Sequence, residues 1–309
     1  MIGIIGSTNI DVYLKTDHFT EPGETQNSLD YKVFYGGKGA NQASTVSKIS
    51  NKQTAFLTCI GNDFYGTALQ KEFESKDLIG YQILEGEKTG RAFIEVEKTG
   101  ENRIITAPGA NHKMKKEMVD DFLNRFEKYL DVVLIQNELP KEIIDYALTE
   151  LKEKNIKIFY DPAPKEKTDL ENLENIFVLT PNINEFAYIY KKITNKKFEE
   201  NKLKDQLIEL KEKTKIENII ITLGKKGALY INQENEINEF DAFKVEAVDT
   251  TASGDVFNGT LALEYLETKD LKKSIKKASA AAALSTTRIG AQTSIPTIEE
   301  IDEFLKNNS

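Results

Sequence analysis

The chain has 309 residues, with 41 Lys and Arg against 50 Asp and Glu, a net charge of −9 and 39% hydrophobic residues. That length carries a sizeable core in one large α/β domain or two small ones, and the acidic balance argues against a nucleic-acid partner, which needs a basic face. A single cysteine, Cys59, excludes an intrachain disulfide and fits a reducing compartment.

Cys59 follows Phe56 and Leu57 in an apolar run, so it reads as a buried structural thiol. Met1–Gly6 is apolar but lacks the basic flank and longer apolar core of a signal peptide. No apolar run approaches a membrane span. A cytoplasmic protein with no membrane partner is expected.

In chain order, Ile2–Ile5 is the first strand candidate. At its end, in Gly6-Ser7-Thr8-Asn9-Ile10-Asp11, Asn9 and Asp11 alternate onto one face and offer an amide and an acceptor to a polyhydroxylated ligand. A turn would use the same residues. Residues 11–35 then run extended without a helical pattern. In Tyr35-Gly36-Gly37-Lys38-Gly39-Ala40-Asn41-Gln42-Ala43, three glycines in four residues let the backbone approach a small polar ligand, and Lys38 and Asn41 can bond hydroxyls. No GxxxxGK[ST] P-loop is present, and Gln42 occupies the third glycine position of a dinucleotide fingerprint. By itself the loop is as well explained by a structural turn.

Ala55–Ile60 is the next strand. Within 88–107, Arg91–Val96, Lys98–Asn102 and Arg103–Ile105 read as strand, turn, strand. Neither this segment nor residues 11–36 needs to enter a parallel sheet, so both are assigned to a small β lid that can close over a cleft. Met114–Tyr129 and Lys141–Lys154 have helical apolar spacing around the strand Val132–Ile135. Ile156–Tyr160, Ile176–Leu179 and Ile219–Leu223 are further strands, continuous in apolar residues as strands buried on both faces are. Strand–helix repetition implies a single α/β domain with a mainly parallel central sheet flanked by helices, and ligands beyond the carboxyl ends of the strands.

Two strand ends carry further polar groups. In Thr180-Pro181-Asn182-Ile183-Asn184-Glu185 the three-residue spacing of Asn182 and Glu185 suits a helix cap. The same pair can orient phosphates and hydrated Mg²⁺. Thr222-Leu223-Gly224-Lys225-Lys226-Gly227 ends a strand in a glycine turn against which a nucleotide can rest. With His18 and His112 as the only histidines, neither at metal-ligand spacing, acid–base chemistry falls to a carboxylate.

In Asp249-Thr250-Thr251-Ala252-Ser253-Gly254-Asp255-Val256-Phe257-Asn258-Gly259 a flexible turn tips into a helix, with Phe257, Leu261 and Tyr265 four apart. Unpaired N–H groups at such an end attract anions. Asp255 in that first turn serves either as a dipole-satisfying acid or as a base beside a docked phosphate.

Taken together, Gly36–Ala43, Thr180-Pro181-Asn182, Thr222-Leu223-Gly224, Gly254-Asp255 with Phe257-Asn258-Gly259, and Thr287-Arg288-Ile289-Gly290-Ala291-Gln292 resemble the ribokinase-like (PfkB) carbohydrate kinases. They occur in that family's order and spacing over essentially the whole chain. The resemblance implies a three-layer fold and ATP-dependent phosphorylation of D-ribose at its 5-hydroxyl. Alternatives are a relative acting on deoxyribose, a ketohexose or a nucleoside, or a non-catalytic sensor, against which the intact Asp255 argues. It further implies Asp255 as general base, an anion hole at Ala252, Ser253 and Gly254, and ribose contacts at Asn9, Asp11, Gly37, Lys38, Gly39, Ala40, Asn41 and Glu138. The implied ATP site comprises Asn182, Glu185, Thr222 to Gly227, Gly254 and Ser279. A monovalent cation such as K⁺ is expected at Asp249, Thr251, Ser285, Arg288, Gly290 and Ser294, and a homodimer through the lid. Ser253 departs from the family's usual Ala.

Overall fold

A computed structural model describes residues 1–165 and 172–308. The chain begins with β1 (Ile2–Ile5), β2 (Asn9–Lys15), β3 (Asp30–Gly36), α1 (Lys38–Ser50), β4 (Thr54–Leu57), β5 (Cys59–Gly61) and α2 (Phe64–Ser75). There follow β6 (Leu78–Ile79), β7 (Gln82–Leu84), β8 (Gly90–Val96), β9 (Asn102–Ala107), α3 (Lys116–Phe126), β10 (Val132–Gln136), α4 (Lys141–Glu153) and β11 (Lys157–Asp161). The remainder is β12 (Val178–Leu179), α5 (Ile183–Thr194), α6 (Leu203–Thr214), β13 (Asn218–Thr222), β14 (Ala228–Ile231), β15 (Ile237–Phe240), α7 (Ser253–Thr268), α8 (Leu271–Thr286) and α9 (Ile298–Asn307).

The main sheet has nine strands in the order β15-β14-β13-β12-β11-β10-β1-β4-β6. It is parallel from β13 to β6 and antiparallel at β14 and β15. The continuous apolar strands are buried throughout, β1 and β10 without exception, because helices cover both faces. One face packs against α3 to α6 through residues such as Phe122, Leu148, Phe186 and Leu210. The other packs against α1, α7 and α8 through Val46, Leu261 and Ile275. Helix α7 approaches α1 so closely that a Cβ at Gly259 would lie 2.8 Å from Thr45. Glycine there lets the two helix N-termini meet.

A smaller separate sheet, β3-β2-β8-β9, stands apart from the main one and draws its strands from residues 9–15, 30–36, 90–96 and 102–107. Three expected elements change. Ala55–Ile60 divides into β4 and β5, because Thr58 leaves the main sheet: its hydroxyl bonds Thr8 Oγ1 at 2.9 Å and its carbonyl accepts Gln82 N at 2.8 Å, which starts the pair β5-β7. Strand 176–179 shortens to β12 because the Ile176 N–H closes a 3₁₀ turn onto Leu173 O. Met114 ends a different 3₁₀ turn, so the expected helix 114–129 starts at Lys116 and ends at Phe126 before another short turn. Cys59 is fully buried, and burial pushes its thiol up to about 12. Among the described residues no helix is long and apolar enough to cross a membrane.

Candidate active site

Helices α1 and α7 begin beyond the carboxyl ends of β1, β10 and β11. Asp255, in the first turn of α7, is 3% exposed. Its Oδ2 accepts from Asn41 Nδ2 at 2.9 Å, and its Oδ1 accepts from Gln42 Nε2 at 3.2 Å. Lys38 Nζ lies 3.9 Å from Asp255 Oδ1 and 3.9 Å from Asp161 Oδ2. Burial pushes the Asp255 carboxyl above its ordinary value, opposed by Lys38 and by the Asn41 and Gln42 amides. A dry carboxylate with a raised pKa is a better base than a solvated one. Lys38 stays firmly protonated: burial works against its charge, but Asp255 and Asp161 outweigh it.

The polar groups expected at a sugar converge beside Asp255. Glu138 Oε2 accepts from the Lys38 backbone N–H at 3.0 Å and from the Ser7 hydroxyl. Asn111 Nδ2 donates to Asn9 Oδ1 at 2.9 Å, which orients the Asn9 amide; its NH₂ has no protein acceptor among the described residues. Asp11 is pushed up to about 7 by burial and then by the neighbouring charges of Glu138 and Asp255. Gly37 has φ 88°, and a Cβ on it would sit 2.7 Å from Asn9 N and 2.8 Å from Thr8 Cα. Only glycine carries the chain past β2 there. Gly39 and Ala40 seat α1 on the end of β1: Ala40 N–H donates to Ser7 O at 2.9 Å, and the Gly39 Cα hydrogens face the Gly6-Ser7 backbone.

At the start of α7, Ala252 adopts φ 58°, ψ 10° and Ser253 N–H closes a turn onto Thr250 O at 3.2 Å. Of the three expected donors, two are left open. Ser253 is engaged, whereas the N–H groups of Ala252, Gly254 and Asp255 have no acceptor among the described residues. A Cβ at Gly254 would meet nothing within 4 Å, so the space above these donors is open. Helix dipole and free N–H groups together suit an anion.

Asn182 and Glu185 form a full capping box on α5: Asn182 Oδ1 accepts from the Asn184 and Glu185 N–H groups, and Glu185 Oε2 accepts from Asn182 N–H at 2.8 Å. Glu185 is 8% exposed, is raised by burial, and its charge acts on Lys38 and Asp161. The cap thus holds one carboxylate within electrostatic reach of Lys38 and Asp161. Thr222 pairs with Asn182 across adjacent strand ends. The Thr222–Gly227 turn closes through Leu223 N–H to Gly227 O at 2.8 Å and leaves open space at Gly224. Lys225 and Lys226 are exposed, Lys226 pairing with Glu200 at 2.8 Å. Ser279 is half-buried in mid-α8, with no hydrogen bond tying it to this turn.

Asp249 accepts from Thr251 N–H at 2.9 Å, Thr251 Oγ1 at 2.6 Å and Gly290 N–H at 2.9 Å. Burial pushes this carboxyl up, but those bonds hold it below its ordinary value. The Ser285 and Ser294 hydroxyls donate to Ala282 O and Ala291 O at 2.8 Å, which leaves oxygen lone pairs available. Arg288 is committed to Glu300 at 2.7 and 3.1 Å and can offer a cation only its carbonyl. One carboxylate with hydroxyl and carbonyl oxygens is a hard, weakly charged donor set, which fits a monovalent ion.

Three residues of this network lie outside the sequence-based set. Gln42 Nε2 bridges Asp255 and Asp161, the latter at 3.0 Å, and Gln42 Oε1 accepts from Gln136 Nε2 at 2.7 Å. Asp161, 4% exposed, is raised by burial against the pull of Lys38. A carboxylate ending the parallel strand Lys157–Asp161, after the apolar run Ile158–Tyr160 and before Pro162, was the available signal for Asp161. Gln42 had none beyond its place in the glycine loop.

A family model described as pfkB family carbohydrate kinase matches residues 1–298. The ribokinase of Haemophilus influenzae is 35% identical over 306 residues, covering 98% of each chain. The deoxyribokinase of Salmonella typhi is 30% identical over 310 residues, covering 99% of each. The crystal structure of ribokinase from Thermotoga maritima superposes with a TM-score of 0.89 at 45% identity, covering 99% of each chain. With the fold, the buried Asp255 and the open helix start in place, the chain belongs to the pfkB family of carbohydrate kinases.

Proposed function

We propose that the chain transfers the γ-phosphoryl group of ATP to the 5-hydroxyl of D-ribose, giving ribose 5-phosphate and ADP, with Asp255 as general base. The observation that carries this is Asp255 buried at the start of α7, beside the free Gly254 N–H and within the ring of Asn9, Asp11, Lys38 and Glu138. Asn9, Asp11 and Glu138 hold the sugar so that its 5-hydroxyl faces Asp255. The carboxylate takes the hydroxyl proton as the oxygen attacks the γ-phosphorus, and the bond to the β–γ bridging oxygen breaks. The N–H groups of Ala252, Gly254 and Asp255 meet the negative charge on the transferring group.

Nucleotide binding falls to the Thr222–Gly227 turn and Asn182. Glu185 has one oxygen outside the cap and would hold hydrated Mg²⁺, which supplies charge neutralisation on the phosphates when bound. Asp249, Thr251, Ser285, Arg288, Gly290 and Ser294 would hold K⁺, shaping the loop that backs the anion hole.

A second acceptor, deoxyribose, is favoured by the 30% identity to a deoxyribokinase. A coupled assay of ADP release over ribose, deoxyribose, a ketohexose and a nucleoside tests both readings, with Asp255→Asn alongside. Ribose should give the highest kcat/KM, and Asp255→Asn should keep sugar and ATP binding while losing roughly 10²–10⁴-fold in turnover. Substantial turnover in that variant would remove Asp255 from the role of base. Higher kcat/KM on deoxyribose would reverse the order of acceptors, and no turnover on any sugar would leave a sensor.

A further inference from the structure

A run of hydrogen bonds leads from Asp255 through Asn41 of α1 and ends at a solvent-exposed groove. Asn41 Nδ2 donates to Asp255 Oδ2 at 2.9 Å, and Gln292 Nε2 donates to Asn41 Oδ1 at 3.3 Å. Lys76 Nζ, just past α2, donates to Gln292 Oε1 at 2.6 Å and to Ser44 Oγ at 3.0 Å, and Ser44 Oγ donates to the same Gln292 Oε1 at 3.0 Å. Glu72 pairs with Lys76 at 2.8 Å. Asn41 and Ser44 are buried, whereas Lys76 and Gln292 line an open groove of about 1120 Å³ beside α1 and α2.

The chemistry of the two ends sets the direction of the run. An ammonium only donates and a carboxylate only accepts, whereas each amide between them can present either end. One arrangement satisfies every atom: Gln292 turns its oxygen to Lys76 and its NH₂ to Asn41, and Asn41 turns its NH₂ to Asp255. Reversing either amide would set two donors or two acceptors face to face, with the loss greatest at the charged base.

We infer that Gln292 is a positioning residue for Asp255: held by Lys76, it fixes the polarity of the Asn41 amide so that an N–H, and not a carbonyl oxygen, meets the base. The inference rests on Asp255 being the base. The other charged groups facing Asp255 are Lys38 of α1, Asp161 of β11, Glu138 after β10 and Asp11 of β2, and none of them contacts Gln292.

The test reverses polarity from the remote end. Lys76→Glu puts an acceptor where the ammonium stood, so Gln292 and then Asn41 turn over. Lys76→Gln, which can still donate, is the control. Gln292→Glu places acceptors at both ends of Asn41, and Gln292→Met keeps length without polarity. Lys76→Glu and Gln292→Glu should lower kcat at pH 7 roughly tenfold and move the acid limb of its pH profile up by about one unit, the cost of one hydrogen bond to a charged group. Lys76→Gln and Gln292→Met should stay within about threefold of the parent, the scale of a weak neutral bond. KM for ATP should hold in all four, and the thermal midpoint in all but Lys76→Glu, which sets a second carboxylate one turn from Glu72. The shift should persist in about 0.5 M potassium chloride, where a bare charge effect across a partly exposed groove is screened.

Equal losses in Gln292→Met and Gln292→Glu would reduce Gln292 to packing, and a shift in Lys76→Glu that vanishes in salt would reduce Lys76 to its charge. Parent kcat in both Glu variants beside an inactive Asp255→Asn would overturn the positioning role alone. An active Asp255→Asn would overturn the base and this inference together.

Discussion

The ammonium of Lys38 stands 3.9 Å from an oxygen of Asp255, the proposed base, and serves Asp161 at the same distance. Two buried carboxylates thus share one cation. Lys38→Met leaves both without a counter-charge and raises both pKa values further. A carboxylate whose folded pKa exceeds its unfolded one contributes stability at low pH that is lost as pH rises through the folded value. The variant should therefore be destabilised by about 2–4 kcal/mol at pH 8, should recover much of this near pH 5.5, and should turn over slowly. Thermal melts at the two pH values check it. A loss of stability independent of pH would assign Lys38 to packing.

The parts of this molecule legible in its sequence are those set by local rules. Buried parallel strands announce themselves as continuous apolar runs, as β10 and β11 do, and the lid's two hairpin segments appear as extended pattern without helix. Asp255 and Gly254 were visible because a polar turn running into a helix is a local signal. Gln42, Asp161 and Gln136 were not, since each acquires its role from contacts more than ninety residues away in the chain. The break at Thr58 was hidden for the same reason: its partners Thr8 and Gln82 lie on other elements.

Gly254 and Gly37 should respond oppositely to alanine. A Cβ at Gly254 meets no protein atom within 4 Å and enters open space, where the proposed anion site lies. Gly254→Ala should therefore raise stability by about 0.5–1 kcal/mol, the backbone-entropy term, while lowering kcat/KM for ATP by roughly 10²-fold. Gly37→Ala combines φ 88° with a 2.7 Å clash against backbone and should lose about 2–5 kcal/mol. Melts and steady-state kinetics on both variants separate the two effects. A stable, fully active Gly254→Ala would place the phosphoryl group elsewhere.

Asp11 supplies a stability change with a defined pH window. Its pKa of about 7, raised by burial and then by Glu138 and Asp255, lies above the ordinary 3.8. Between those values the folded state keeps a proton that the unfolded state has lost, so stability declines as pH rises through the window. Asp11→Asn removes that decline. The variant should match the parent at pH 4 and exceed it by about 1–2 kcal/mol at pH 8 after allowance for solvent screening, with weaker sugar binding throughout. A pH-independent difference between the two proteins would contradict the shift.

The Asp249 loop should respond to the identity of the monovalent cation. Its carboxylate is tied to Thr251 and Gly290, so a cation held by the surrounding oxygens would fix the turn leading into α7. Turnover should be higher in K⁺ than in Na⁺ and lowest in tetramethylammonium, and Asp249→Asn should flatten the difference. Equal rates in the three salts would dismiss the site.

The smaller sheet, the proposed lid, is the remaining incomplete surface. In its register Val33 pairs with Val12, Val12 with Phe93 and Phe93 with Ile105, an apolar row crossing all four strands. Ile105 is 71% exposed, and Ile104, on the opposite face with Asp11, is 56% exposed. A four-stranded sheet with open apolar residues on both faces is poorly covered by one chain, and a second copy of the same sheet would supply apolar cover. We therefore expect light scattering to give about twice 34.9 kDa. Ile104→Lys places a charge on the face that also carries Asp11. It should yield monomer with a raised KM for sugar, since a docked lid would help to hold Asp11 and its neighbours over the ligand. A parent protein of 34.9 kDa at micromolar concentration would refute the pairing. A dimeric Ile104→Lys with unchanged KM would move the interface to the Ile105 face.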